Sequence, residues 1–187
     1  AFSIYKKFNK LDVKDKFMLN VISSLSVFQL LKENNLNKLT IKWPNDIMTG
    51  KEKISGILIE NSVKGKLINH SVIGVGINVN QKKFKDLPNA TSLFIETGLE
   101  FSLDSLASRL AEIFSKNFFL FDKNEDDLLE YYNSQLFLKN KDSNFKGLDN
   151  KNFSGKIICV NKKGQLRIRK TNNEEINYSE NTIKLMP

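Results

Sequence analysis

The stretch "KWPNDIMTGKEKISGILIE", Lys42 to Glu60, decides the fold. It holds the chain's only tryptophan, then Pro44, Asn45 and Asp46, and it runs into an apolar segment. Proline pushes the residue before it toward extended backbone and donates no N–H. "KLTIKW" therefore reads as a short strand that stops at Pro44. "PND" is a turn signature, "MTGKEK" around Gly50 reads as a loop, and "KISGILIE" as the returning strand. "KGK" at 64–66 is a second turn, and "LINHSVIGVGINVN" (67–80) a long third strand. Together they predict a β-meander with the Trp-Pro-Asn-Asp turn at one end.

Upstream, "FSIYKKF" reads as a strand, and residues 15–35 as a helix with one apolar face of Phe17, Val21, Ile22, Leu25, Phe28 and Leu31. Asn34 and Asn35 make its stop, because Asn tolerates the left-handed cap. Downstream, residues 82–101 read as irregular. A helix follows over 102–121 with Ser102 as its cap, and another over 124–139 with Asn124 capping and acids in its first turn. After about Lys139 the helical period disappears. "KIICV", "QLRIRK", "EINYS" and "TIKLM" read as short strands between Gly-, Asn- and Lys-rich turns, a small and partly closed all-β barrel.

Composition excludes several classes. The 187 residues are 40% hydrophobic, enough for a substantial core. No apolar run approaches the roughly 18–20 residues that cross a membrane, so no membrane partner is expected. A single cysteine excludes an internal disulfide framework and points to a reducing compartment, the cytoplasm. Cys159 in "KIICV" is expected to be buried and inert. One histidine, His70, leaves no His-rich metal site. The formal charge is +8, which suits an anionic partner. Almost all of it is lysine; the arginines are Arg109, Arg167 and Arg169, so the bidentate base reading typical of arginine is poorly supplied. The start, "AFSIYKKFNK", has no initiator Met and opens on strand-like sequence, so a longer parent protein is expected.

Three glycines carry the site argument. Gly74 and Gly76 alternate within "GVGIN", and Gly56 lies in the neighbouring strand. Glycine weakens a strand, so it marks either a bulge or the close approach of a ligand. Three together suggest a bare patch of sheet on which a ring system lies. Lys42, Asn45, Asp46, Lys53 and Asn78 rim that patch. Two cations, a carboxylate and two amides suit an anionic ligand, with Asp46 able to help hold a metal ion.

"KWPNDI", then "KISGILIE", "GVGINVN" and "ATSL" with the helix after it, resemble biotin protein ligases in order and spacing. The final all-β segment resembles that family's SH3-like carboxy-terminal domain. The resemblance implies an α+β fold, a mixed β-sheet backed by helices of the class II synthetase/biotin ligase type, with residues 1–140 as the catalytic core and 141–187 as the small barrel. It implies ATP-dependent conversion of biotin to biotinyl-5′-AMP, with Mg²⁺, then transfer of the biotinyl group to a lysine of a biotin carboxyl carrier protein. It also implies roles. Lys53 reaches the biotinyl carbonyl and phosphate oxygens, and Lys42 lies near the phosphates. Asp46 orients the metal or the incoming amine. Asn78, with Gly56, Gly74 and Gly76, holds the adenylate beside Asn45, and Trp43 packs behind the loop and sets its shape. A homodimer is left open. The family's G-x-G-R-x-G-R-x-W loop would lie before Ala1, so the chain as given is expected to lack part of the biotin pocket. A DNA partner follows only if that upstream region holds a helix-turn-helix. The competing readings are a lipoate-type ligase with the same chemistry, and a non-enzymatic nucleic-acid- or protein-binding module using the basic barrel.

Overall fold

The computed structural model describes residues 1–85 and 87–186. Asp86 and Pro187, the last residue of the expected carboxy-terminal domain, lie outside the described residues. The first sheet is built from β1 (Phe2–Asp12), β2 (Leu39–Lys42), β3 (Asp46–Thr49), β4 (Glu52–Lys64) and β5 (Leu67–Ile77). Its order is β1-β5-β4-β3-β2, and every neighbouring pair is antiparallel. The predicted meander is present with one more strand. Residues 46–49, read as turn and loop, form β3. Gly50 at φ +59° turns β3 into β4, and Gly65 at φ +63° turns β4 into β5. The parallel pairing expected of a mixed sheet is confined, among the described residues, to isolated bridges such as Lys53 with Ala90 and Ile41 with Leu136.

Helix α1 (Phe17–Glu33) lies between β2, β3 and β4 and two later helices, α3 (Leu103–Phe121) and α4 (Glu125–Ser134). One apolar face was expected; the structure buries nearly the whole circumference. From Phe17 to Leu31 only Asn20 and Gln29 escape full burial. A helix that is apolar all round belongs in a core. Two of its three buried serines fit because they satisfy themselves. The Ser23 and Ser26 hydroxyls donate to the carbonyls of Leu19 and Ile22 at 2.6 and 2.8 Å, and Asn117 of α3 donates to Ser26 Oγ at 2.9 Å.

With helices on one face, the other face of the sheet stays open. Tyr5, Leu58 and Val72 are exposed there, in register with Gly74 and Gly76. A short helix, α2 (Leu93–Thr97), interrupts the segment expected to be irregular; Ser92 caps it and Gly98 at φ +75° ends it. Ser102 and Asn124 cap α3 and α4 as expected. Helix α4 stops at Ser134, short of the predicted Lys139: Gln135 leaves helical geometry, and Leu138 and Asn140 beyond it adopt left-handed backbone.

The second sheet has five strands: β6 (Asp142–Gly147), β7 (Asn152–Val160), β8 (Leu166–Lys170), β9 (Glu175–Tyr178) and β10 (Ile183–Leu185), in the order β10-β6-β7-β8-β9. β6 was not foreseen. Phe145, Ile157, Val160, Leu166 and Ile168 fill its interior and join the core of the first sheet in one apolar cluster. Phe145, Phe153 and Tyr178 stack on one another. Cys159 is half-buried, not fully enclosed.

Candidate active site

The register assembles the site. Lys42 lies opposite Asp46, Asp46 opposite Gly56, and Gly56 opposite Gly76. Residues directly opposite in an antiparallel sheet share a face, so these four form one row across β2, β3, β4 and β5. Leu58 shares that open face and is exposed. Gly74, opposite Leu58, sits one step along.

Lys53 reaches the same face through an irregularity. Pairing of β3 with β4 slips between Ile47 and Met48: Ile47 faces Ser55, but Met48 faces Lys53. Ile54 is the extra residue of a β-bulge. Side chains alternate along a regular strand, so Lys53 and Gly56 would otherwise point to opposite faces. The bulge turns Lys53 onto the open face. Its side chain then runs over Gly56, and Nζ lies 2.5 Å from Asp46 Oδ1. A Cβ at Gly56 would sit 2.9 Å from Lys53 Nζ. Gly56 is thus the saddle for a lysine and not part of a bare floor. At Gly74 and Gly76 an added Cβ would meet only a carbonyl oxygen at 3.7 Å, so the open floor is these two.

Residues 89–91 hold Lys53 from outside the sheet. Lys53 N donates to Asn89 O at 2.7 Å, and Thr91 N donates to Lys53 O at 3.0 Å. Asn78 closes the corner: its backbone N donates to Ile54 O at 2.9 Å and its amide to Thr91 O at 2.9 Å. Lys53, Gly56, Gly76 and Asn78 line a recess of about 400 Å³ whose far wall is Leu87–Ala90. Thr91 and this wall were not singled out from the sequence beyond the "ATSL" match.

The Trp43–Asn45 turn is anchored from behind. The Trp43–Pro44 peptide is cis. The Trp43 indole donates to Gly164 O at 3.0 Å in the β7–β8 turn, and the Asn45 amide donates to Ile57 O at 2.7 Å. Tyr132 of α4, fully buried, donates its hydroxyl to Pro44 O at 2.8 Å. Burial pushes the Tyr132 hydroxyl far above its ordinary value, with Glu180 adding to the rise, so it stays a donor. The turn also walls a larger cleft, about 530 Å³, between the two sheets, opposite Phe145, Glu180 and Lys184. The smaller recess is the better candidate, because Lys53, paired with Asp46, and Asn78 line it beside Gly56 and Gly76.

Lys42 in the row and Lys53 laid over it, against the one carboxylate of Asp46, leave a local surplus of positive charge. Such a surface, floored by Gly74 and Gly76, can receive a flat anionic group.

A family model described as "Biotin/lipoate A/B protein ligase family" matches residues 4–78, which contain most of β1, all of β2 to β5 and the whole row. Residues 4–78 are thus similar to the biotin/lipoate protein ligase family. The bifunctional ligase/repressor BirA of Bacillus subtilis is 31% identical to the chain over 105 residues, 54% of this chain and 32% of BirA. The chain thus spans about a third of that relative. A biotin–[acetyl-CoA-carboxylase] ligase of Paracoccus denitrificans is 40% identical over 42 residues, 22% of this chain and 18% of its own. The fold of the whole chain matches the apo biotin protein ligase of Aquifex aeolicus with a TM-score of 0.78 at 23% identity, covering 98% of this chain and 82% of that one. That protein has also been solved in complex with biotin and ATP. The likeness extends the biotin/lipoate ligase fold beyond residue 78 and through both sheets.

Proposed function

We propose that the protein activates biotin with ATP to biotinyl-5′-AMP and transfers the biotinyl group to a lysine of a biotin carboxyl carrier protein. The observation that carries this reading is Lys53, laid across Gly56 beside a glycine floor, with its ammonium held at Asp46. The relative named as a biotin ligase and the solved ligase with biotin and ATP support it.

In the first step a biotin carboxylate oxygen bonds to the α-phosphorus while the bond to the bridging oxygen of the β-phosphate breaks, and pyrophosphate leaves. Two anions meet, so preorganised positive charge lowers the barrier. Lys53 is the group at that point, and Lys42 faces the phosphates from the end of the row. Asn78 and the floor at Gly74 and Gly76 hold the adenylate, with Asn45 and Trp43 fixing the turn. In the second step a neutral lysine amine bonds to the acyl carbon, AMP leaves with the electron pair of the acyl–oxygen bond, and the amine's proton passes to a nearby base.

Among the described residues no group of three or more His, Cys, Asp and Glu could cage a metal. Mg²⁺ is commonly bound by one or two carboxylates plus substrate phosphates. Asp46 offers one carboxylate beside the recess, which fits Mg²⁺ brought in on ATP. When bound there, Mg²⁺ would neutralise phosphate charge.

Residues 1–140 would form the catalytic core and 141–187 an SH3-like domain. The basic surface suits an acidic carrier domain, and the enzyme would work in the cytoplasm, alone or as a homodimer. Among the described residues no helix is long and apolar enough to cross a membrane. The test is pyrophosphate release and mass detection of the acyl-adenylate by the complete protein, with biotin and lipoate supplied in parallel. Biotin-dependent release and biotinyl-AMP are expected. Release with lipoate alone, or with neither acid, would overturn the assignment.

A further inference from the structure

A bulge that swings Lys53 out of the core is a local irregularity and needs support. Its direct supports are the two backbone hydrogen bonds to Asn89 and Thr91, but residues 89–91 belong to no helix or strand. Something must fix them in turn. Thr91 is fully buried, and its hydroxyl donates to Glu96 Oε1 at 2.8 Å. The other oxygen of the same carboxylate, Oε2, accepts at 3.1 Å from the hydroxyl of Thr49. Thr49 is 5% exposed and follows Met48, the cross-strand partner of Lys53. One carboxylate therefore grips both flanks of the bulge, β3 at Thr49 and the outer brace at Thr91.

We propose that Glu96 is a positioning residue for Lys53, acting through the hydroxyls of Thr91 and Thr49. This rests on the reading of Lys53 as the lysine that meets the reacting oxygens. A buried hydroxyl needs an acceptor, and an ionised carboxylate offers two acceptor oxygens in bonds stronger than neutral ones. Glu96 is otherwise an exposed residue on a five-residue helix. A surface glutamate normally turns its oxygens to water; here both turn inward. The same corner holds Asn78, whose amide donates to Thr91 O. Loosening Thr91 thus frees both Lys53 and Asn78.

The experiment compares Glu96→Ala, Thr91→Val and Thr91→Ser with the wild type in the complete protein, with two readouts. Amide hydrogen exchange followed by NMR reports Lys53 and Thr91 directly, with Ile73 on β5 as the internal control. Glu96→Ala and Thr91→Val should speed exchange at Lys53 and Thr91 by about tenfold or more, the scale of one lost hydrogen bond, and leave Ile73 unchanged. They should also lower kcat for adenylate formation by about tenfold or more with little change in KM for ATP, since an interaction made only in the transition state is lost. Thr91→Ser keeps the hydroxyl and should restore both. Unchanged exchange at Lys53, or a rise spread evenly to Ile73, overturns the proposal. If Glu96→Ala does not fold, the Val and Ser variants of Thr91 decide alone. A wild type that forms no biotinyl adenylate would sink the ligase reading, while the exchange at Lys53 would still decide the role of Glu96.

Discussion

A methyl group added at Gly56 separates the fold from the chemistry. In Gly56→Ala the new Cβ would lie 2.9 Å from Lys53 Nζ, 3.0 Å from its Cε and 3.3 Å from Asp46 Oδ1. All three are ends of flexible side chains, so the lysine moves and the backbone need not. Gly56 is not among the glycines with positive φ, so alanine suits its conformation. Two small stability terms then oppose each other. The Lys53–Asp46 pair is roughly half exposed on the lysine side, with side-chain exposures of 46% and 28%, and such a pair is worth about 0–1 kcal/mol. Alanine at a compatible glycine position gains about 0.4–1 kcal/mol by restricting the unfolded chain. The net change should stay within about 1 kcal/mol. The chemistry has no such compensation. Displacing a charge aimed at the developing transition state costs about 10²–10³ in rate. The assay is pyrophosphate release by the complete protein beside a urea midpoint. Gly76→Ala is the companion: its Cβ meets only Gly56 O at 3.7 Å, so it leaves the ion pair alone and obstructs only what lies on the floor. A Gly56→Ala rate within threefold of wild type would refute the saddle role, and a large loss of stability would refute the reasoning about flexible neighbours.

Three further outcomes are expected. Asp46→Asn keeps the size of the side chain and removes the charge beside Lys53; it should slow adenylate formation by about tenfold or more and alter its Mg²⁺ dependence with little change in melting temperature. Tyr132→Phe strands the Pro44 carbonyl and should cost about 1–3 kcal/mol, read as a lower urea midpoint; because burial keeps that hydroxyl protonated, the loss should be the same at pH 6 and pH 9. Glu33 is held below the ordinary carboxylate range chiefly by its hydrogen bond from Arg109. A depressed carboxyl contributes stability above its unfolded value and loses it as pH falls through the folded one, so the gap in urea midpoint between wild type and Arg109→Gln should be present at neutral pH and close in acid.

What the sequence makes legible is its punctuation and its periods. Pro44, Gly50 and Gly65 mark the turns of the meander, and Ser102 and Asn124 mark helix starts, because each of those residues has one local reason to be there. The failures are equally physical. β3 is four residues between a proline turn and a glycine turn, too short for alternation to show. β6, "DSNFKG", buries only Ser143 and Phe145 fully, so its polar composition reads as loop. α1 hides its all-round burial because Ser23, Ser24 and Ser26 do not count as apolar, although Ser23 and Ser26 bond their own helix. Glu96 stays invisible for the opposite reason: a charged residue after a turn looks solvated, and only the fold brings Thr49 to it.

The bulge at Ile54 was readable, and it ties the site together. In "KISGILIE" the apolar residues Ile57 and Ile59 belong to the face covered by helix α1, since Ile57 is buried and Ile59 packs against the core. Strict alternation from Ile57 backward would place Ser55 and Lys53 on that same covered face. A lysine there would have to leave its charge unpaired among apolar side chains, at a cost of several kcal/mol. It would also leave Ile54 on the open face. The polar–apolar phase of residues 53–54 therefore conflicts with that of residues 55–60, and a one-residue slip in a strand resolves such a conflict. The slip sends Ile54 inward, where it is fully buried, and Lys53 outward. Once outward, Lys53 shares a face with Gly56, and any side chain at that position would stand in its path to Asp46. Phase conflict, bulge and glycine are one device for carrying a lysine across a strand, and the three residues after Lys53 already spell it.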